Sequence, residues 1–463
     1  MQEKLYFYYT NDLHSHFEQW PKVVQYLNQA KEQRKLGNDD YWIVDIGDHM
    51  DRVHPIAEAF KGKSNVQLLN DAAYNLATIG NNEGITLEHS DLFHLYDDAR
   101  FQVICANLHS LDDVKPAWLQ PYTKLHSING VDIGIIGLTA PFNAFYELLD
   151  WHITDPYKTL ERYINEIKES SDIIILLSHL GITEDQEIAR KFPEIDVIIG
   201  GHTHHLLRTG ETVDQTLITA AGKNCAFIGE VILTWDHTEK KLVDKEAYAT
   251  DITHLPNDKK TIQSLQHLRK AADEKLGDTV VQLEKKLEVN WFKNTLIMQQ
   301  LTNTLKAWTD ADCAMLNAGV LLDHISPGNV TYKDVHRICP HPINPCVVTV
   351  KGDELIEVVR ASFTRQFIEL PLKGFGFRGK VIGKMIFSGL DVKTQKREDG
   401  EEYVVSVMQN GNPIDQEKTY SLATADTFTF GRLLPEVARS DSKRFFLPEF
   451  LRDLLAHTLR NWK

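Results

Sequence analysis

Val197-Ile198-Ile199-Gly200-Gly201-His202-Thr203-His204 is the stretch from which the rest of this 463-residue chain is read. Its three apolar residues read as a short buried strand. The two glycines let the backbone turn sharply away from the strand end. His202 and His204 are two residues apart, and on extended backbone such side chains share a side, so both imidazoles are expected to converge. Imidazoles converging at a strand end suit Zn, Mn or Fe. A lone His-x-His is better read as a pair of loop histidines. Here the layout of apolar strand followed by His, Asp or Asn recurs at Asn11-Asp12-Leu13-His14, Gly47-Asp48, Gly80-Asn81 and Ser178-His179. The recurrence points to a two-metal site.

Length and composition bound the rest. At about 150 residues per domain, the chain has room for two or three domains. Its apolar fraction of 42% is ample for globular cores, and its net charge is −15. That charge argues against a nucleic-acid binder, which needs a basic face. Met1-Gln2-Glu3-Lys4 leads directly into an apolar strand, so no secretory signal is expected. No run of about 18 apolar residues occurs, so no membrane span is expected either. The five cysteines are scattered, with no Cys-x-x-Cys pair. Zinc held by thiolates is therefore not expected. Reduced cysteines in a cytoplasmic protein are the natural reading.

Strands are expected at 5–10, 41–46, 76–79, 102–106, 173–178 and 197–199, each delivering polar residues at its end. Segments 123–128 and 131–138 flank Asn129-Gly130, a strong hairpin signal. Helical spacing covers 21–36, 66–74, 156–170, 184–191 and 291–308. Strands 217–220, 227–235 and 242–247 follow in series. Helices and strands alternate early and strands accumulate later, which predicts a layered α/β sandwich with its functional loops at one sheet edge. The polar helix over 258–276 reads as a connector, or equally as a surface helix of the first domain. The expected division is 1–255, a connector over 256–279, and a second domain over 280–463.

Seven residues are candidate metal ligands: Asp12, His14, Asp48, Asn81, His179, His202 and His204. Carboxylate and amide oxygens mixed with imidazole favour divalent transition ions such as Mn, Zn, Fe or Co. Seven exceed the needs of one four-coordinate ion. They fit two ions about 3.5–4 Å apart that share a carboxylate, a pair able to activate water and neutralise a phosphoryl group. Singly, an Asp or Asn after a strand is a turn or capping residue. That explanation is poor for all of them together.

Asn11-Asp12-x-His14, Gly47-Asp48, Gly80-Asn81-x-Glu83, Ser178-His179 and Gly201-His202-x-His204 resemble, in order, the blocks of the calcineurin-like metallophosphoesterases, and within them the 5′-nucleotidase group. The resemblance implies a four-layer α/β/β/α sandwich followed by an α+β substrate domain. It implies that Asp12, His14, Asp48 and His204 hold one ion. Asp48, Asn81, His179 and His202 would hold the other, with Asp48 bridging. In the second half, Asn317-Ala318-Gly319, Gly328 with Tyr332-Lys333-Asp334-Val335, Lys351-Gly352-x-x-Leu355 and Ser388-Gly389-Leu390 fall in the family's order. The implied activity is hydrolysis of a small-molecule phosphoester, a nucleotide or its analogue, by a metal-bound hydroxide, as in nucleotide catabolism.

The chain departs from the family where protons and nucleosides are handled. Gly-Asn-His-Glu reads Gly80-Asn81-Asn82-Glu83, and the aspartate that orients the family's histidine falls at Ile85. Asn82 has no proton to give at neutral pH. Loss of a general acid costs roughly 10²–10⁴-fold. His49, directly after Asp48, is a candidate replacement at the rim of the site, as is His16. His49 also reads as a support for a ligand. The family's phosphate-binding arginine falls at Leu322. The two stacking aromatics fall at Lys384 and Thr427, with Phe428 and Phe430 beside the second. Phe375-Gly376-Phe377-Arg378-Gly379 offers aromatic and cationic groups, or is a flexible turn. Substrate contacts are therefore expected from Asn317, Gly319, Phe377, Arg378, Phe428 and Phe430. A phosphodiesterase or pyrophosphohydrolase, whose leaving group needs little protonation, is one alternative. A metal-binding pseudoenzyme that senses a nucleotide or scaffolds a partner is the other.

Overall fold

A computed structural model describes residues 1–462 apart from 113, 373, 375, 399 and 432. The chain divides into two compact units, Met1–Ala272 and Asp273–Lys463. The helix expected over 258–276 is present as Lys259–Lys275, and the division falls in its last turn.

Two sheets form the centre of the first unit. One has seven strands in the order Lys241–Asp251, Phe227–Asp236, Gln2–Thr10, Asp40–Asp45, Leu76–Ala77, Gln102–Ile104, Leu119–Gln120. The other has six, in the order Glu211–Val213, Thr216–Thr219, Val197–Gly200, Ile173–His179, Asp132–Thr139, Tyr122–His126. Leu5, Phe7 and Tyr9 of the first sheet pack with Ile173, Ile175 and Leu177 of the second in one core. The alternate residues face helices. Tyr8 meets Tyr26 and Tyr6 lies under Arg34, both on the helix Trp20–Gly37. Ile174 and Leu176 share a core with Leu160, Ile164 and Ile188, from Pro156–Glu169 and Ile182–Lys191. Strands buried on both faces read as continuous apolar runs, and Ile173-Ile-Ile-Leu-Leu177 is one. The result is the expected α/β/β/α sandwich.

The strands that precede the candidate ligands run parallel. Gln2–Thr10, Asp40–Asp45 and Leu76–Ala77 are parallel neighbours with Thr10 opposite Asp45 and Asp45 opposite Ala77. Ile173–His179 is parallel to Val197–Gly200 with Ser178 opposite Gly200. Parallel register carries the residues after each strand to one edge of its sheet. The segments around Asn129-Gly130 pair antiparallel, as their hairpin signal predicts.

The second unit is built on a five-stranded sheet: Met385–Ser388, Cys313–Asn317, Thr419–Ala425, Pro345–Lys351, Lys443–Phe445. Helices Leu296–Thr309, Gly352–Ser362 and Leu451–Arg460 contribute Met298, Leu301, Val358, Leu454 and Leu455 to its core. The helix expected over 291–308 begins only at Leu296. Trp291 is engaged elsewhere: its indole N–H donates to the Leu321 carbonyl, and its own carbonyl accepts from the Lys384 N–H. Tertiary hydrogen bonds hold those residues outside the helix that spacing alone allows. All five cysteines are buried and unpaired by disulfides. Among the described residues no helix is long and apolar enough to cross a membrane.

Candidate metal centre

The parallel strand ends carry the candidate ligands to one place. Asp12, His14 and His204 form one group able to hold a cation, and Asp12, Asp48 and His179 another. His14 Nε2 lies 3.0 Å from His204 Nε2, 3.6 Å from Asp12 Oδ1 and 3.9 Å from Asp48 Oδ2. His204 Nε2 is 3.4 Å from Asp12 Oδ1. On the other side His179 Nε2 lies 3.4 Å from Asp48 Oδ1. His202 Nδ1 is 2.8 Å from Asn81 Oδ1. Asp48 thus turns one carboxylate oxygen to each side.

Five of the seven candidates have left-handed backbone: Asp12 (φ 51°), His14 (49°), Asp48 (50°), His202 (68°) and His204 (59°). This conformation costs on the order of 1–3 kcal/mol for a residue with a β-carbon and gathers at functional sites. It corrects the expectation of an extended His202-Thr203-His204. With both histidines left-handed, the pair divides, His204 joining His14 and Asp12 while His202 joins Asn81. Gly80 is required by close approach, because a β-carbon there would overlap Asp48 Oδ1.

The surrounding groups orient the set. Asn11 donates to Asp12 Oδ2 at 2.8 Å and to the Gly222 carbonyl at 2.6 Å. The His202 N–H donates to Asp12 Oδ2 at 3.0 Å. Sequence reasoning did not assign Glu83 a role. Its carboxylate accepts the backbone N–H groups of Asp48 (3.0 Å), Met50 (2.9 Å) and Gly80 (3.0 Å), clamping the loop of the central aspartate. Its place three residues after the helix cap is the sequence signal that was available.

His179 gives the clearest evidence that the residues fit metal ions. Its Nδ1–H donates to the Ile46 carbonyl at 2.8 Å, which turns Nε2 toward Asp48 Oδ1, 3.4 Å away. Nε2 is buried without a hydrogen-bond partner. A backbone acceptor behind the ring is the usual support of a ligating histidine. Burial lowers the pKa of His14 and takes that of His202 down to about 4, so both rings are neutral at pH 7. For Asp48 burial acts upward, but His179, which carries a proton in the metal-free protein, prevails and holds it below the carboxylate range.

The acid candidates are differently placed. Asn82 borders the site: its backbone N–H donates to Asp48 Oδ1 at 2.7 Å. The backbone does turn at Asp48, yet it delivers His49 inward. His49 is 3% exposed, its ring meets Trp20 edge-on, and its Nδ1 lies 3.1 Å from the Asn65 amide nitrogen. Burial pushes its pKa down to about 3. That is a correction to its expected place at the rim. His16 is paired with Glu18 instead.

In the second unit the expected substrate contacts are used largely for packing. The Asn317 amide donates to the Ile382 carbonyl at 2.8 Å, and a β-carbon at Gly319 would overlap the Val381 carbonyl. Phe377 is 3% exposed and stacked on His341, with centroids 5.2 Å apart. Phe428 is 1% exposed and stacks with Phe367, the ring planes 25° apart and the centroids 6.3 Å apart. Both rings were expected at a substrate, and both belong to the core. Arg378 is exposed and Phe430 half-buried. Phe375 lies outside the described residues.

Residues 5–206 match the model of the calcineurin-like phosphoesterases, and residues 275–432 that of the 5′-nucleotidase C-terminal domain. The chain is 43% identical over 460 residues to the uncharacterized metallophosphoesterase YunD of Bacillus subtilis strain 168, covering 99% of this chain and 100% of that one. The fold is similar to that of the NAD nucleotidase of Haemophilus influenzae (TM-score 0.68, 17% identity, 99% and 96% of the two chains). It is also similar to the 5′-nucleotidase precursor of Thermus thermophilus (TM-score 0.60, 18% identity, 99% and 96%). Identity of that extent over essentially the whole length, together with both domain matches, makes this chain a member of the calcineurin-like metallophosphoesterases with a C-terminal domain of the 5′-nucleotidase type.

Proposed function

We propose that the chain is a two-metal phosphoesterase of the 5′-nucleotidase type, acting on a nucleotide or nucleotide-like phosphoester. In this reading 1–255 carries the metals, 280–463 receives the substrate, and 256–279 connects them. The observation that carries the proposal is the His179 Nε2 atom, buried without a hydrogen-bond partner and 3.4 Å from a carboxylate that turns its two oxygens toward two histidine groups. Asp12, His14, Asp48 and His204 would hold one ion. Asp48, Asn81, His179 and His202 would hold the other. Ions of the Mn, Zn, Fe or Co class supply water activation and phosphoryl charge neutralisation when bound. The chain's own part is orientation. Ile46 fixes the His179 ring, Asn11 and the His202 N–H fix Asp12, and Glu83 fixes the Asp48 loop.

A second reading, hydrolysis of a phosphodiester or a pyrophosphate bond, is favoured by the place of the acid candidates. Asn82 offers an amide, and His49 is enclosed beside Trp20. Leaving groups that need little protonation suit such a site. Metal analysis followed by turnover with Mn on monoesters, cyclic nucleotides and nucleotide sugars tests both readings. About two transition ions per chain and hydrolysis of at least one class are expected. Two bound ions with no turnover on any class would leave a nucleotide sensor or scaffold. Protein that takes up no ion after Mn supplementation refutes the proposal.

A further inference from the structure

Asn82 is the second residue of the short helix Asn81–Ile85 and touches the ligand set twice. Its backbone N–H donates to Asp48 Oδ1 at 2.7 Å. Its side-chain nitrogen Nδ2 lies 3.0 Å from His14 Nδ1 and donates to the Met50 carbonyl at 3.0 Å, while its Oδ1 accepts from the Asn81 amide at 3.4 Å. The other ring nitrogen of His14, Nε2, is the one that faces His204, Asp12 and Asp48.

An imidazole that gives a metal its Nε2 lone pair carries its proton on Nδ1, and that N–H calls for an acceptor. The group placed against His14 Nδ1 is the Asn82 amide. Rotation of an amide by 180° exchanges its oxygen and nitrogen in nearly the same space. It also gives up the bonds to the Met50 carbonyl and from the Asn81 amide and turns the amide oxygen toward the Met50 oxygen, so the rotated form gains only when His14 Nδ1 carries the proton. We propose that Asn82 is a positioning residue for the ion held by His14: its side-chain oxygen accepts the His14 Nδ1 proton in the loaded protein, while its backbone N–H holds Asp48. The position that carries the leaving-group acid elsewhere in the family here serves a ligand. The inference rests on the two-ion reading of the site.

Calorimetric titration with Mn and with Zn, on wild type, Asn82→Ala and Asn82→Asp, tests it. Asn82→Ala is expected to weaken one of the two ions by about 10–100-fold and to leave the other in place. Asn82→Asp retains an acceptor and is expected to bind within about threefold of wild type, or more tightly. Wild-type affinity for both ions in Asn82→Ala overturns the inference. So does a loss in Asn82→Asp as large as in Asn82→Ala, which would make the amide N–H the important group. Should Asn82→Ala not fold, nitrogen NMR of Zn-loaded wild type decides. A proton on His14 Nδ1 is expected, and a bare Nδ1 overturns the inference. Wild type that binds no ion at all refutes the site itself, a result distinct from the others.

Discussion

The metal loops of the first unit and the expected substrate loops of the second carry equally recognisable motifs and use them in opposite ways. In the first unit the side chains turn inward and leave a ligand atom spare: His179 Nε2 is buried without a hydrogen-bond partner, facing Asp48. Strained backbone is concentrated there, with five of seven candidate ligands left-handed. In the second unit Asn317 bonds to the Ile382 carbonyl, Gly319 makes room for the Val381 carbonyl, and Phe377 and Phe428 are in the core. The difference teaches that a motif can persist as chemistry or as scaffold. Unsatisfied buried polar atoms and left-handed backbone mark the first kind.

The comparison breaks most decisively at Asp48. Asp48→Asn is expected to lose most of both ions and at least about 10³-fold in kcat/KM. Elemental analysis with Mn-supplemented kinetics checks this. Retained metal with near-normal turnover would mean that the first unit's loops are scaffold too.

Phe428 tests the other side. Phe428→Ala is expected to cost about 3–5 kcal/mol of stability, as for a buried aromatic, with metal content unchanged. Urea unfolding reads the shift in midpoint. A marked rise in KM with little loss of stability would return Phe428 to the substrate and undo the contrast.

Acid distinguishes the units next. Burial lowers His49 in the first unit and His341 in the second to about 3, from 6.5. The unfolded chain then takes up protons that the folded chain refuses. Stability is therefore lost as pH falls from about 6.5 toward 3, by on the order of 1.4 kcal/mol per pH unit for each histidine. His179 runs the other way in metal-free protein. Although burial acts downward, Asp48 raises it, so its contribution is full below pH 6.5 and is lost as pH rises through its folded value. Metal must displace that proton, so metal affinity is expected to rise with pH. Unfolding at pH 7, 6 and 5, with and without chelator, checks the set. A chelator is expected to change the slope of the first unit alone, and His341→Gln that of the second alone.

The smallest effect is expected at Phe430, which is half-buried. Phe430→Ala is expected to raise KM about three- to tenfold on the best substrate of the panel, as loss of one aromatic contact does, with stability within about 0.5 kcal/mol of wild type. Unchanged KM would make the expected aromatic contacts scaffold throughout the described residues.

The sequence by itself determined the main buried strands and the family, because burial period and motif order are local properties that survive in one dimension. Val197-Ile198-Ile199 and the run at 173–177 read as buried strands and are buried strands. It also put seven metal-binding residue types after strand ends. Tertiary structure alone decided which way those residues face. Left-handed φ at His202 and His204 sends one imidazole to each side, where an extended reading joins them. The turn at Asp48 carries His49 under Trp20 and away from the rim. Phe377 and Phe428 look like stacking aromatics in sequence, and their partners His341 and Phe367 lie far away along the chain. Spacing predicts that a side chain leaves a loop. Its direction is set by backbone strain and by hydrogen bonds to distant residues, and neither is written in the local pattern.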